Sequence, residues 1–127
     1  MLLALADLIA IFHGAVTITV LTLSFLAIAG LLRHHPRWEA AYFIGVFLMG
    51  GSIVWLKTCF LTLWEQRLRL IGAPQTAYQE GFIEHYLSRI GLHANGLAIM
   101  WFSIALLTIA VLASIVWHMA DRQVHLA

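Results

Sequence analysis

The chain has 127 residues, of which 62% are hydrophobic and 10% charged, whereas soluble domains run near ~45–50% apolar and ~25% charged. That composition excludes an ordinary soluble domain and indicates a membrane protein. A net charge of +1 with no basic run lacks the electrostatic footprint of a polyanion binder, so nucleic acid is set aside as a partner.

The charged side chains leave residues 8–32, 40–56 and 90–120 free of Asp, Glu, Lys and Arg. A helix needs ~20 apolar residues to cross a ~30 Å hydrocarbon core. The expected fold is therefore all-α: one integral membrane domain over 1–127, a bundle of three transmembrane helices. The first span is expected over about 3–32, stopping at Arg33-His34-His35-Pro36-Arg37, where charge and a proline oppose continuation. Its uncharged stretch exceeds the ~7–15 residues of a signal-peptide core and reads as a retained helix. The second is expected over about 38–61, with Lys57 snorkelling to the interface. The third is expected over about 95–119.

Between the second and third spans lie two helix-start signals, Thr62-x-x-Glu65 and Thr76-x-x-Gln79. Each is a capping box, in which the Thr oxygen and the Glu or Gln side chain satisfy orphan backbone N–H groups. They predict short amphipathic helices at about 63–71 and 77–90, the first stopped by Gly72 and Pro74. Glu65 and Arg69 are four apart and can pair. The second helix sets Tyr78, Phe82, Tyr86 and Leu87 against Glu80, Glu84, Ser88 and Arg89, the pattern of a helix lying at the bilayer surface.

Tryptophans gather at membrane interfaces, which places Trp38 and Trp117 at one face and Trp55, Trp64 and Trp101 near the other. Three spans put the N-terminus and the long loop on one side, the Arg33–Arg37 turn and the C-terminus on the opposite side. Arg33, Arg37 and Arg122 balance Lys57, Arg67, Arg69 and Arg89, and the short turn tips the orientation to a non-cytoplasmic N-terminus. Small, mildly polar faces are expected to pack the spans together: Ala10, His13, Thr17, Val20, Ser24 and Ala27 on the first, Ala41, Gly45, Ser52 and Cys59 on the second, Gly96, Ser103, Ala110 and Ser114 on the third.

His13 stands apart from those stripes, because an ionisable group within a span is costly and faces the interior with a partner. Connectivity puts His13, Cys59, Glu65 and His85 on one membrane side. Their donor types suit zinc, copper or iron, and His13 and His85 are the candidates for a cofactor such as haem. The spacing matches no metal motif: there is no Cys-x-x-Cys, no His-Glu-x-x-His and no pair of histidines four apart. Each residue also has a structural reading. His13 can bond a neighbouring Thr or carbonyl, Cys59 can be a packing residue, Glu65 a cap, and His85 can pair with Glu80 and Glu84. His34, His35, His118 and His125 read as interfacial or terminal. Cys59 is the sole cysteine, which rules out an intramolecular disulfide.

The run Cys59-Phe60-Leu61-Thr62-Leu63-Trp64-Glu65-Gln66-Arg67-Leu68-Arg69, followed by Tyr78 and Gly81-Phe82-Ile83-Glu84-His85-Tyr86-Leu87, resembles the domain-of-unknown-function 2784 family of small bacterial membrane proteins. That family's pattern is Cys-Pro-Leu-Thr-x-x-Glu-x-x-Leu-Arg, then Gly-Phe-Ile-x-His-Tyr-Leu, with a first-helix histidine corresponding to His13. The resemblance covers roughly residues 7–120, and Phe60 stands where the family carries proline. It implies a multi-pass protein of the bacterial inner (cytoplasmic) membrane and singles out His13, Cys59, Thr62, Glu65, Arg69, Gly81 and His85, with no activity attached.

Three spans with a nearly loop-free body suit an accessory or structural subunit of a larger membrane complex, respiratory or photosynthetic, or a homo-oligomer in the lipid bilayer. The alternative is a membrane redox, metal-binding or haem-binding protein built on His13, Cys59, Glu65 and His85. A third reading is an enzyme acting on a lipid or quinone with the same residues.

Overall fold

The computed structural model describes the chain through Leu126 and its side chains through Gln123, so the side chain of His125 lies outside the described residues. The described residues form five α-helices: α1 (Leu2–Ile28), α2 (Pro36–Leu56), α3 (Phe60–Gly72), α4 (Phe82–Arg89) and α5 (Gly96–Leu126). Single 3-10 turns sit at Leu32–His34 and Pro74–Thr76. Among them α1, α2 and α5 are long and apolar enough to cross a membrane, and no strand occurs among the described residues.

At ~1.5 Å per residue α2 is ~30 Å long, matching the hydrocarbon thickness, while α1 and α5 are longer. Their surplus turns carry the polar contacts. Next to the turn between α1 and α2, Arg33 Nη1 donates to Asp121 Oδ1 at 2.9 Å, and the Arg33 guanidinium lies 5.1 Å from the Trp117 ring centre. Glu39, buried in the first turn of α2, accepts from Ser114 Oγ and lies 2.9 Å from His118 Nε2 through each carboxylate oxygen. These contacts close one end of the bundle.

The α1 face expected from the sequence is the face that packs: Ala6, Ala10, His13, Val20, Ser24 and Ala27 are buried. Small residues let neighbouring backbones approach, which drives helix association where lipid removes the hydrophobic difference. On α5, Leu106, Ala110 and Ser114 are buried. The α2 expectation is corrected. Its buried residues are Glu39 and Tyr42, whereas Ala41 is exposed and Cys59 is not on α2 at all. Tyr42 is fully buried and shares a hydrogen bond with Ser24 at 3.3 Å.

Helix ends also differ from the sequence reading. The first span stops at Ile28 rather than 32, because Gly30 takes φ +72° and the Leu31 N–H bonds the Leu26 carbonyl at 3.0 Å. This is a glycine stop, in which a residue without Cβ occupies the left-handed region. The indole of Trp117 fills the space beside Gly30 and donates Nε1–H to the Ile28 carbonyl at 3.2 Å. The second span ends at Leu56, where Lys57 itself turns left-handed at φ 57°. Helix α3 then begins at Phe60 with Cys59 at its N-cap. Phe60 occupies the first helical position, a place that accepts proline, so a proline there would leave the same start. Asn95 Oδ1 accepts the Leu97 N–H at 2.9 Å and caps α5, which continues past the expected end at 119 to Leu126.

Both capping boxes are corrected. Thr62 and Glu65 lie inside α3 rather than at its start, and no side chain caps that helix. Thr62 Oγ1 is buried without a partner. Thr76 Oγ1 donates to the Ala73 carbonyl at 2.8 Å within a 3-10 turn, and Gln79 lies in the irregular segment that follows. The helix expected over 77–90 is confined to Phe82–Arg89, with Gly81 at its N-cap.

Candidate functional site

Helix α3 packs its polar face inward. Thr62, Glu65 and Arg69 recur at helical spacing and are buried together with Leu61. The helix runs back along the first half of α1: a Cβ on Gly72 would lie 2.8 Å from Leu2 Cβ, and Arg69 Nη2 donates to Asp7 Oδ1 at 2.8 Å. Glu65 is fully buried at the centre of the network. Its Oε1 accepts from Arg69 Nε at 3.0 Å and from the Tyr86 hydroxyl at 3.2 Å. Arg69 also reaches the Tyr86 oxygen at 3.5 Å. Burial opposes the Arg69 charge, and Glu65, Asp7 and Tyr86 together outweigh it and hold the guanidinium pKa above its ordinary value.

Helix α4 and the irregular segment before it form a flap over this network. The flap has no buried residue in its helical part, so it is held by specific contacts. Phe82 lies against the His13 ring at 4.0 Å between centres. His85 stacks on Tyr78 at 3.7 Å and 9°. Tyr86 bonds Glu65 as above, and Gln66 Nε2 donates to the Glu80 carbonyl at 3.2 Å. Burial, followed by the Glu65 charge, pushes the Tyr78 and Tyr86 hydroxyls up from the usual tyrosine range. Burial and then Arg89 push the His85 imidazole down, against the opposing influence of Glu80 and Glu65.

Beneath the flap, walls from α1, α2, α3 and α5 enclose a cleft of about 560 Å³. Its composition changes with depth. Lys57, Glu80, Glu84 and Asn95 line the loop end, while Val20, Leu21, Met49, Ile53 and Leu107 line the other. Between them stand His13, Thr17 and Thr62. His13 and Thr62 are 2% and 1% exposed. Their Nδ1 and Oγ1 atoms, with Thr17 Oγ1, are buried without a hydrogen-bond partner. Glu65 Oε2 and the Tyr78 hydroxyl are buried outside the cleft lining, with Glu65 acting on the Tyr78 hydroxyl.

The residues marked from sequence are thus brought to one end of the molecule but not onto one point. Among the described residues no three His, Cys, Asp or Glu side chains come within reach of a common metal ion. His13 is covered by Phe82, His85 by Tyr78, and Glu65 is engaged by Arg69 and Tyr86. Cys59 is a buried thiol at the α3 N-cap. His13, Cys59, Glu65 and His85 therefore do not form a three-donor metal set among the described residues.

Residues 3–120 match the family described as Protein of Unknown function (DUF2784). The chain belongs to this family. No curated protein and no solved structure matches it. In this DUF2784 member, the residues singled out by the family pattern do distinct jobs around one cleft: His13 and Thr62 on its wall, Glu65 and Arg69 behind it, Cys59 and Gly81 at helix starts, and His85 in the flap. Sequence reasoning left Asp7, Tyr78, Phe82 and Tyr86 without a site role. A lone carboxylate opening an apolar span was the available signal for Asp7, since such a group needs a partner.

Proposed function

We propose that this small multi-pass membrane protein binds a membrane amphiphile, polar end toward His13, Thr17 and Thr62 and apolar part along Val20, Leu21, Met49, Ile53 and Leu107. The observation that carries this reading is that His13, Thr17 and Thr62 line a cleft of about 560 Å³ while His13 Nδ1, Thr17 Oγ1 and Thr62 Oγ1 are buried without a partner. A buried polar atom without a partner costs ~1–3 kcal/mol, and a ligand head that bonds it removes that cost. The volume falls within the ~300–1,000 Å³ of small-molecule sites. Photo-activatable lipid analogues incorporated into membranes test it. Cross-links mapping to Thr62, Met49 and Ile53, and lost when Ser103→Trp fills the cleft, support the reading. Label spread evenly over the exposed faces of α1, α2 and α5 refutes it.

A second reading, an accessory subunit docking a helix of a larger complex, draws on α2. From Phe43 to Leu56 it has no buried residue, and a Cβ on Gly50 or Gly51 would meet nothing within 4 Å. Close helix approach in lipid uses such small residues. Cysteines at Gly50 and Gly51, cross-linked in native membranes, should capture one partner in fixed ratio; a monomer after cross-linking sinks this reading.

A further inference from the structure

We infer, resting on the amphiphile reading, that the cleft selects an uncharged hydroxyl or carbonyl head, as on an isoprenoid quinol or quinone or a glyceride, and rejects phospholipid head groups. The unpartnered atoms of the residues lining the cleft carry no fixed charge: two Thr hydroxyls, each able to donate and accept, and one imidazole nitrogen. An alcohol oxygen, with one donor and two acceptor sites, can meet all three groups, and a carbonyl oxygen can accept from the two Thr hydroxyls; neither brings a charge below the interface.

A phosphate would need a cation at the same depth, because an unpaired charge within a membrane span is costly. The cleft offers none there. Among the described residues Lys57 is the one Lys or Arg lining it, and Lys57 shares the loop end with two carboxylates, Glu80 and Glu84. Arg69, the nearest cation behind the wall, does not line the cleft and is engaged by Glu65, Asp7 and Tyr86. Glu84 is directed at the start of α5, where a Cβ on Gly96 would collide with its carboxylate. The acidic mouth thus stands where an anionic head would have to enter. The apolar run below it accommodates a chain: Val20 and Leu21 on α1, Met49 and Ile53 on α2 one helical turn apart, and Leu107 on α5.

The test measures competition on the purified full chain in nanodiscs carrying a photo-activatable fatty-alcohol probe, with three competitors: a short-chain ubiquinol, dioleoylglycerol and phosphatidylglycerol. Displacement by ubiquinol or by dioleoylglycerol, with phosphatidylglycerol at least tenfold weaker, supports the inference, and whichever of the two competes better assigns the source of the head. Equal displacement by phosphatidylglycerol overturns the head-group selection while leaving an amphiphile site in place. No specific labelling of the cleft by the probe overturns both. Thr17→Val and Thr62→Val together keep shape while removing two hydroxyls, and should weaken the neutral ligands about tenfold. Unchanged affinity in a variant that retains its helical circular dichroism overturns the head-group assignment. If that variant does not fold, the wild-type competition decides alone.

Discussion

Replacing Arg69 by methionine removes the cation from the most buried ion pair among the described residues. Glu65 is fully buried, its side chain 0% exposed, and the Arg69 side chain is 9% exposed, so solvent cannot take over the lost partner. Breaking a buried pair from one side costs ~3–5 kcal/mol, because the remaining charge stays desolvated. The Asp7 arm adds less, since that carboxylate is 56% exposed and exposed pairs contribute only ~0–1 kcal/mol. The cost should fall on α3 and its docking on α1. Cys59 reports it directly, being the sole cysteine, buried, at the α3 N-cap. With opening and closing fast relative to labelling, the rate of reaction with a thiol-specific fluorophore in detergent follows the population of the opened state. Arg69→Met should raise that rate by roughly 10²–10⁴-fold, and Glu65→Leu with Arg69→Met should recover most of it, because no buried charge is left unpaired. A single variant that labels like the wild type, or a double variant no better than the single, refutes the account of Glu65 and Arg69 as a mutually dependent pair.

Gly30→Ala and Gly50→Ala form a contrasting pair. At Gly30 the new Cβ meets left-handed backbone and the Trp117 ring at 2.9 Å, so a loss of about 1–3 kcal/mol is expected in denaturant titrations. At Gly50 the Cβ meets nothing within 4 Å, and a change of about 0.5–1 kcal/mol in the stabilising direction is expected; equal effects would contradict both assignments. Glu39→Ala strips Ser114 and His118 of their shared acceptor and should speed hydrogen exchange in the first turns of α2, at a cost of about 1.5–3 kcal/mol. Exchange there unaltered from wild type would show that the cluster holds nothing. For pH, the His85 imidazole is lowered from 6.5 in the folded flap, so the unfolded or detached segment binds the extra proton. Its contribution is complete above pH 6.5 and is lost as pH falls through the lowered value. Cross-links between cysteines placed at His13 and Phe82 cannot test this without disturbing the contact, so protease access to the Ala77–Gly81 segment is the measure. Access should rise on acidification in the wild type and not in His85→Gln; a pH profile unchanged by that substitution overturns the assignment to His85.

Composition and charge placement determined that this chain is a membrane protein with three apolar helices. They did so because a span must be long and uncharged wherever it lies. The inward face of α1 was legible for the same reason: in lipid only small and mildly polar residues have cause to meet, and Ala10, His13, Val20, Ser24 and Ala27 do. The family motifs marked the end of the molecule where Cys59, Thr62, Gly81 and Phe82 line the cleft. What they could not give was which atoms meet. Thr62 and Glu65 satisfy the capping-box spacing, yet the chain turns at Lys57 and starts α3 two residues after Thr58, so both side chains face α1 instead of the helix end. The spacing rule sees four residues; Arg69 to Asp7 spans 62 and Ser114 to Glu39 spans 75. Only tertiary packing decides such pairs, and only it separates His13, Cys59, Glu65 and His85 into a cleft wall, a helix start, an ion pair and a flap. Donor types on one membrane side are a matter of sequence, whereas a common point for their atoms requires backbone paths that this fold does not take.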